Sequence, residues 1–292
     1  MMRPRLTSGS IDKRDEPIMN LIKFAYRRIR QLIALALLIA TVSLIVHQLD
    51  TSLQRTSFIT GWGLMSVVGL LTCYNLRKRL SFLSFLGSSR SWLQIHVYFG
   101  FLAVVVFLFH IGFRIPNGKF ELILTGLFMF VSLSGFYGLY ITRIIPKKLT
   151  AVKDEAVYEQ IPSLRRTVRT QAEQIVHSCT SFAPALADFY MEKLAYFFES
   201  PRSLIYYAIP NGRQKRALLL ELSNMDRYLP ENGRDSSKQL MELIHRKDDL
   251  DYHHAMQGRL KIWLFFHIAA TYSMILFAVF HTVLVHAFHG GI

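Results

Sequence analysis

Cysteine is nearly missing from this chain. Cys73 and Cys179 are the only two among 292 residues, too few for a disulfide framework or a cysteine-ligated iron–sulfur cluster. No C-x-x-C-H run occurs, which excludes covalent haem attachment of the usual c type. No Gly-rich dinucleotide loop is found, so the chain carries no flavin or nicotinamide site of that kind. Acidic residues are scarce as well, 20 against 34 Lys plus Arg, leaving a net charge of +14. In a soluble protein that excess would suggest nucleic acid. Here apolar residues make up 51% of the chain and the mean hydropathy is +0.26, so the basic residues read instead as cytoplasmic flanks facing anionic lipid headgroups. Nucleic acid is not expected as a partner.

What is abundant is long apolar sequence. Five stretches, 32–47, 58–74, 92–113, 120–141 and 262–287, approach the ~20 residues that a helix needs to cross the hydrocarbon layer. The division that follows is a basic cytoplasmic tail (1–31), transmembrane helices 1–4 (32–148), a cytoplasmic insertion (149–258), then helix 5 with a short outer C-terminus (259–292). The tail, with Arg3, Arg5, Lys13, Arg14, Lys23, Arg27, Arg28 and Arg30, is too long and too charged for an ordinary cleaved signal, and is expected to be retained. Arg77, Lys78, Arg79 and Arg90 lie between the second and third stretches, whereas Arg55 alone lies between the first and second. Arg143, Lys147 and Lys148 follow the fourth. This alternation predicts an integral multi-pass protein of the plasma or inner membrane, N-terminus inside and C-terminus outside.

Histidines mark the third and fifth stretches. His96 and His110 are fourteen positions apart, and His267 and His281 repeat the interval. Fourteen helical residues rise about 21 Å in about 3.9 turns, so each pair points to one side near opposite edges of the layer. With both helices running outward, His96 and His267 share the inner depth, and His110 and His281 the outer. Four titratable rings inside a bilayer are costly without partners, and paired imidazoles at each depth are the ligand set of a six-coordinate haem. The expected cofactors are therefore two non-covalent haem b groups, with these four histidines as axial iron ligands. Arg90 is placed for the propionates of the inner ring, as are Arg259 or Lys261, and Arg114 or Lys119 for the outer one. Trp92 and Trp263 each stand four residues before an inner histidine. Gly100, Ala103, Ala270 and Ala278 leave room for a flat ring, Met274 with Phe99 or Phe107 fills the level between, and Ser134, Gly135 and Gly138 form a face for close helix approach.

The repeated interval resembles the transmembrane domain of the ferric reductase and NADPH oxidase family. The likeness covers the second to fifth stretches, about half the chain. It implies that His96, His110, His267 and His281 ligate two b-type haems carrying electrons across the bilayer. The family's sixth span and its flavin and nicotinamide domains have no counterpart here, so reductase activity would need another chain.

The insertion is expected to be a small α+β domain. Residues 153–200 look helical, 203–209 and 215–222 read as two strands joined by a hairpin at Pro210-Asn211-Gly212, and 236–258 reads as a polar helix leading into the fifth span. His177, His245, His253 and His254 are expected at its surface, lacking metal-ligand spacing. His47, His286 and His289 are expected near the outer haem level. Altogether the fold predicted is an all-α integral membrane protein, a five-helix haem-binding bundle with the α+β insertion between helices 4 and 5. Its expected function is an electron relay between a cytoplasmic redox partner, a flavoprotein, iron–sulfur protein or cytochrome, and an acceptor at the outer face. No catalytic side chain is assigned. The alternatives are a quinone-reactive cytochrome b subunit of a larger complex, and a haem-free membrane anchor or receptor.

Overall fold

The computed structural model describes residues 15–51, 56–79, 88–152, 156–200, 202, 206 and 211–289. In order, the helices are α1 (Asp15–Thr51), α2 (Thr56–Arg79), α3 (Ser89–His110), α4 (Lys119–Leu149), α5 (Ile161–Cys179), α6 (Pro184–Phe189), a π-helical turn (Tyr190–Leu194), α7 (Ala195–Glu199), α8 (Arg213–Asp226) and α9 (Glu231–His289). Five of them hold windows apolar and long enough to span a membrane: Ile29–Thr51, Thr56–Tyr74, Ser89–His110, Lys119–Leu149 and Glu231–Phe288. The protein is a helical integral membrane protein. Residues 1–14, which carry Arg3, Arg5, Lys13 and Arg14, lie outside the described residues.

The chain divides into two compact units, one of residues 1–132 with 273–292 and one of residues 133–272. In the first, α2 and α3 pack along each other around Val68, Ala103, Phe107, Phe128 and Met274. Phe107 stacks on Phe128 with ring centroids 4.1 Å apart. Met274 and Phe107 are thus packed core. α1 joins through polar contacts: Gln31 donates to Gln94 at 3.2 Å and accepts from the Tyr98 hydroxyl at 3.0 Å. Side chains such as Leu37, Leu44 and Leu276 remain exposed, as is normal where lipid is the solvent.

α3 ends in a tight reversal. Phe113 N–H donates to Leu108 O and Gly112 N–H to Phe109 O, closing a Schellman-like cap in which both Gly112 (φ 59°) and Phe113 (φ 56°) are left-handed. Glycine takes that conformation freely; phenylalanine there is strained by about 1 kcal/mol. The cap turns the chain into the short connection Arg114 to Gly118.

In the second unit α5 is amphipathic. Ile161, Val168, Ala172, Val176 and Cys179 are buried along one stripe at helical spacing, facing Leu186, Phe197, Leu222, Leu240 and Ile244. Further on, Trp263 lies across α4, donating its indole N–H to Ser134 O at 2.9 Å. A Cβ added at Gly138 would overlap the indole, so the expected small-residue face is one that Trp263 requires.

The expected α+β insertion is corrected. No strand occurs among the described residues, and the second expected strand, 215–222, lies within α8. Its run Arg-Gln-Lys-Arg-Ala-Leu-Leu-Leu-Glu-Leu contains strong helix formers and no β-branched residue. Asn211-Gly212 leads into that helix, with Gly212 as its N-cap residue, instead of turning a hairpin. The first expected strand, 203–209, falls outside the described residues except for Tyr206, which is helical. His253 corrects a second expectation: only 2% exposed, it belongs to the interior, while His177 and His245 are exposed and His254 stacks on Tyr158 at 4.7 Å.

Candidate functional site

The first unit contains a half-open cavity of about 440 Å³, in the size range of small-molecule sites. α2 contributes Phe58, Gly61 and Trp62, α3 contributes Phe107 and His110, the connection after it Arg114 and Asn117, α4 Glu121 and Phe128, and α9 Met274, His281 and His286. Most of the wall is apolar. Polar groups are few and converge from separate elements, which is how a pocket orients a ligand without losing its apolar character.

His110 and His281 face each other here, ring centroids 6.4 Å apart and planes at 86°. The His110 ring is set by α2: its Nδ1–H donates to Ser57 O at 2.9 Å, with Thr60 Oγ1 at 3.5 Å. A carbonyl can only accept, so Nδ1 carries the proton and, in the neutral ring, Nε2 keeps a lone pair. Gly61 provides the clearance, since a Cβ there would stand 3.0 Å from His110 Cε1. His281 stacks on Phe120 with centroids 6.2 Å apart. His286 sits by two aromatic rings, Phe58 at 5.2 Å and Trp62 at 5.6 Å, and its Nδ1–H donates to Thr282 O at 2.7 Å.

The other sequence-derived residues are placed as follows. His96, in the first unit, donates from Nδ1 to Leu71 O at 3.1 Å beside Tyr74. His267, in the second unit, stacks on Trp263 at 5.6 Å, with its Nδ1 3.2 Å from Ser134 Oγ. Arg114 lines the cavity, whereas Arg90 is exposed in the first turn of α3. Lys119 is exposed, and Lys261 pairs with Glu159 at 2.5 Å over the Tyr158 ring. His47 is exposed, and the side chain of His289 lies outside the described residues.

The expected iron centres do not stand. Among the described residues no group of three or more His, Cys, Asp or Glu side chains is arranged to hold a metal ion. The two haem b cofactors, and the cytochrome b, iron-binding description that went with them, are corrected on that finding. The cost of placing imidazoles in an apolar layer is met in another way: Leu71 O, Ser57 O and Thr282 O accept from His96, His110 and His286, and Ser134 Oγ lies against His267.

Trp62, Phe58 and Glu121 were not expected in the site. Phe58 and Trp62 are four apart on α2, a spacing that puts both on one helical face. No family model, no curated protein and no solved structure matches the chain.

Proposed function

We propose that this protein is a membrane subunit of an electron-transfer complex, and that its first unit binds a lipid-soluble quinone-class molecule. The observation that carries the reading is the facing pair His110 and His281 in a largely apolar cavity with aromatic walls. A quinone has a flat ring suited to Phe58, Trp62 and Phe107, and oxygens at its edge. The lone pair at His110 Nε2 accepts a hydrogen bond from the reduced, hydroxyl form; Arg114 offers donors to the oxidised, carbonyl form. Ligands reach such a cavity from the lipid, through the same apolar surroundings that the spans require.

Kinship with the ferric reductase and NADPH oxidase membrane domains belongs to this proposal and rests on the two repeated histidine intervals. The redox step itself is assigned to a partner flavoprotein, iron–sulfur protein or cytochrome, with this chain supplying the ligand site. In the orientation set by the basic flanks, the N-terminus is cytoplasmic and the cavity opens near the outer leaflet.

The test is titration of the protein, in nanodiscs, with a short-chain ubiquinone analogue, reading quenching of Trp62 fluorescence against a Trp62→Phe control. Saturable quenching that His281→Ala weakens supports the reading. Quenching that rises linearly, as for partition into lipid, contradicts it.

A further inference from the structure

The second unit contains a buried ion cluster that the quinone reading leaves unused. The Asp251 carboxylate, fully buried, is met by Arg165 Nη2 at 2.6 Å, Lys247 Nζ at 2.6 Å and Arg202 Nε at 2.9 Å. Asp248 is met by Arg202 and by Lys215 Nζ at 2.8 Å. Phe197 lies against both Arg202 and Lys247, 4.9 Å and 4.5 Å from its ring centroid. Among the described residues, four cations therefore share two carboxylates, a surplus of two positive charges in a place where water is largely excluded. An uncompensated buried charge is strongly unfavourable, so the cluster is short of negative charge.

Its open valence is specific. Arg165 Nε is buried and makes no hydrogen bond among the described residues, while Nη2 is ion-paired with Asp251 at 2.6 Å. The Nε–H is a buried charged donor from which an oxygen of an anion can accept. Arg165 and Lys215 keep 17% and 23% of their side-chain surface exposed, against 6% for Arg202 and 1% for Lys247, so they are the most accessible of the four cations.

We infer that the cluster of Arg165, Arg202, Lys215 and Lys247 binds a small phosphate-bearing anion, held by Arg165 Nε–H and by Lys215. A phosphate monoester or free phosphate carries close to two negative charges near neutral pH and offsets the surplus. Carboxylate or chloride, with one charge, offsets half of it.

The experiment is calorimetric titration of inorganic phosphate into the full chain in zwitterionic nanodiscs, at fixed ionic strength with chloride as reference. One phosphate binds per chain, and the thermal unfolding temperature rises with it. Arg165→Gln weakens binding about tenfold or more, the loss of a charge-assisted hydrogen bond. Lys215→Gln, at the more exposed cation, weakens it severalfold and serves where Arg165→Gln does not fold. A second arm places phosphatidic acid in the nanodisc. Binding of free phosphate assigns a soluble ligand, whereas Arg165-dependent binding only to the lipid assigns a headgroup to the same site. No binding in either arm, or equal binding by wild type and both variants, overturns the inference.

Discussion

The spans of the first unit and the α5 region of the second solve the same packing problem in different solvents. In the second, α5 hides Ile161, Val168 and Ala172 and leaves its polar face outside, as a water-facing helix does. In the first, α1 exposes Leu37 and Leu44, and α9 exposes Leu276 and Phe280. Lipid stabilises those side chains as well as a protein core would, so the spans are held by a few close contacts: the Phe107–Phe128 stack, Gln31 with Gln94 and Tyr98, and the imidazole bonds to backbone carbonyls. Apolar burial dominates the α5 region, and placed polar contacts the first unit's spans.

Substitutions can break this contrast. The largest effect is expected from Leu222→Asp, which puts a charge at a position of 0% exposure in the second unit and should prevent that unit from folding, seen as rapid limited proteolysis within 133–272. Leu222→Ala is milder, costing about 2–5 kcal/mol by transfer and cavity terms. Cys179 reports it: burial pushes the thiol pKa up and keeps the side chain covered, so alkylation is slow in the wild type and faster in Leu222→Ala.

Gly61→Val should leave the spans assembled and displace the His110 ring, because even a single Cβ already stands 3.0 Å from it. Quinone-analogue affinity should then fall about tenfold or more, the loss of one polar anchor, with stability in the bilayer little changed. Leu276→Ala, at a side chain 69% exposed, should move stability by less than about 0.5 kcal/mol in lipid. If Leu276→Ala cost as much as Leu222→Ala, the lipid-facing assignment of α9 would be wrong. The haem correction is open to an absorption spectrum: purified protein is expected to be colourless, and a Soret band from haem bound stoichiometrically would reinstate iron ligation.

Much of the membrane part was legible in the residues. Apolar runs located all five spanning helices, the fourteen-residue interval led to His110 and His281 in one place, and Ser134 to Gly138 announced the close approach that Trp263 makes. Those signals are local or periodic. The insertion was less legible, because Asn211-Gly212 is a strong hairpin signal by itself, while the decisive information lay downstream in a run without β-branched residues. The ion cluster was not legible at all. Lys247 and Asp251 are four apart, a spacing that more often marks a solvated helix face, and only the fold brings Arg165 and Arg202 against them.

The central claim is that His110 and His281 frame a site for a quinone-class molecule. Its most direct test is the equilibrium affinity of a short-chain ubiquinone analogue for the nanodisc-embedded protein, compared with that of the double variant His110→Ala, His281→Ala. Saturable binding to the wild type is expected, and the double variant loses it while its helices and unfolding temperature are retained. Identical partition of the analogue into nanodiscs holding either protein would contradict it.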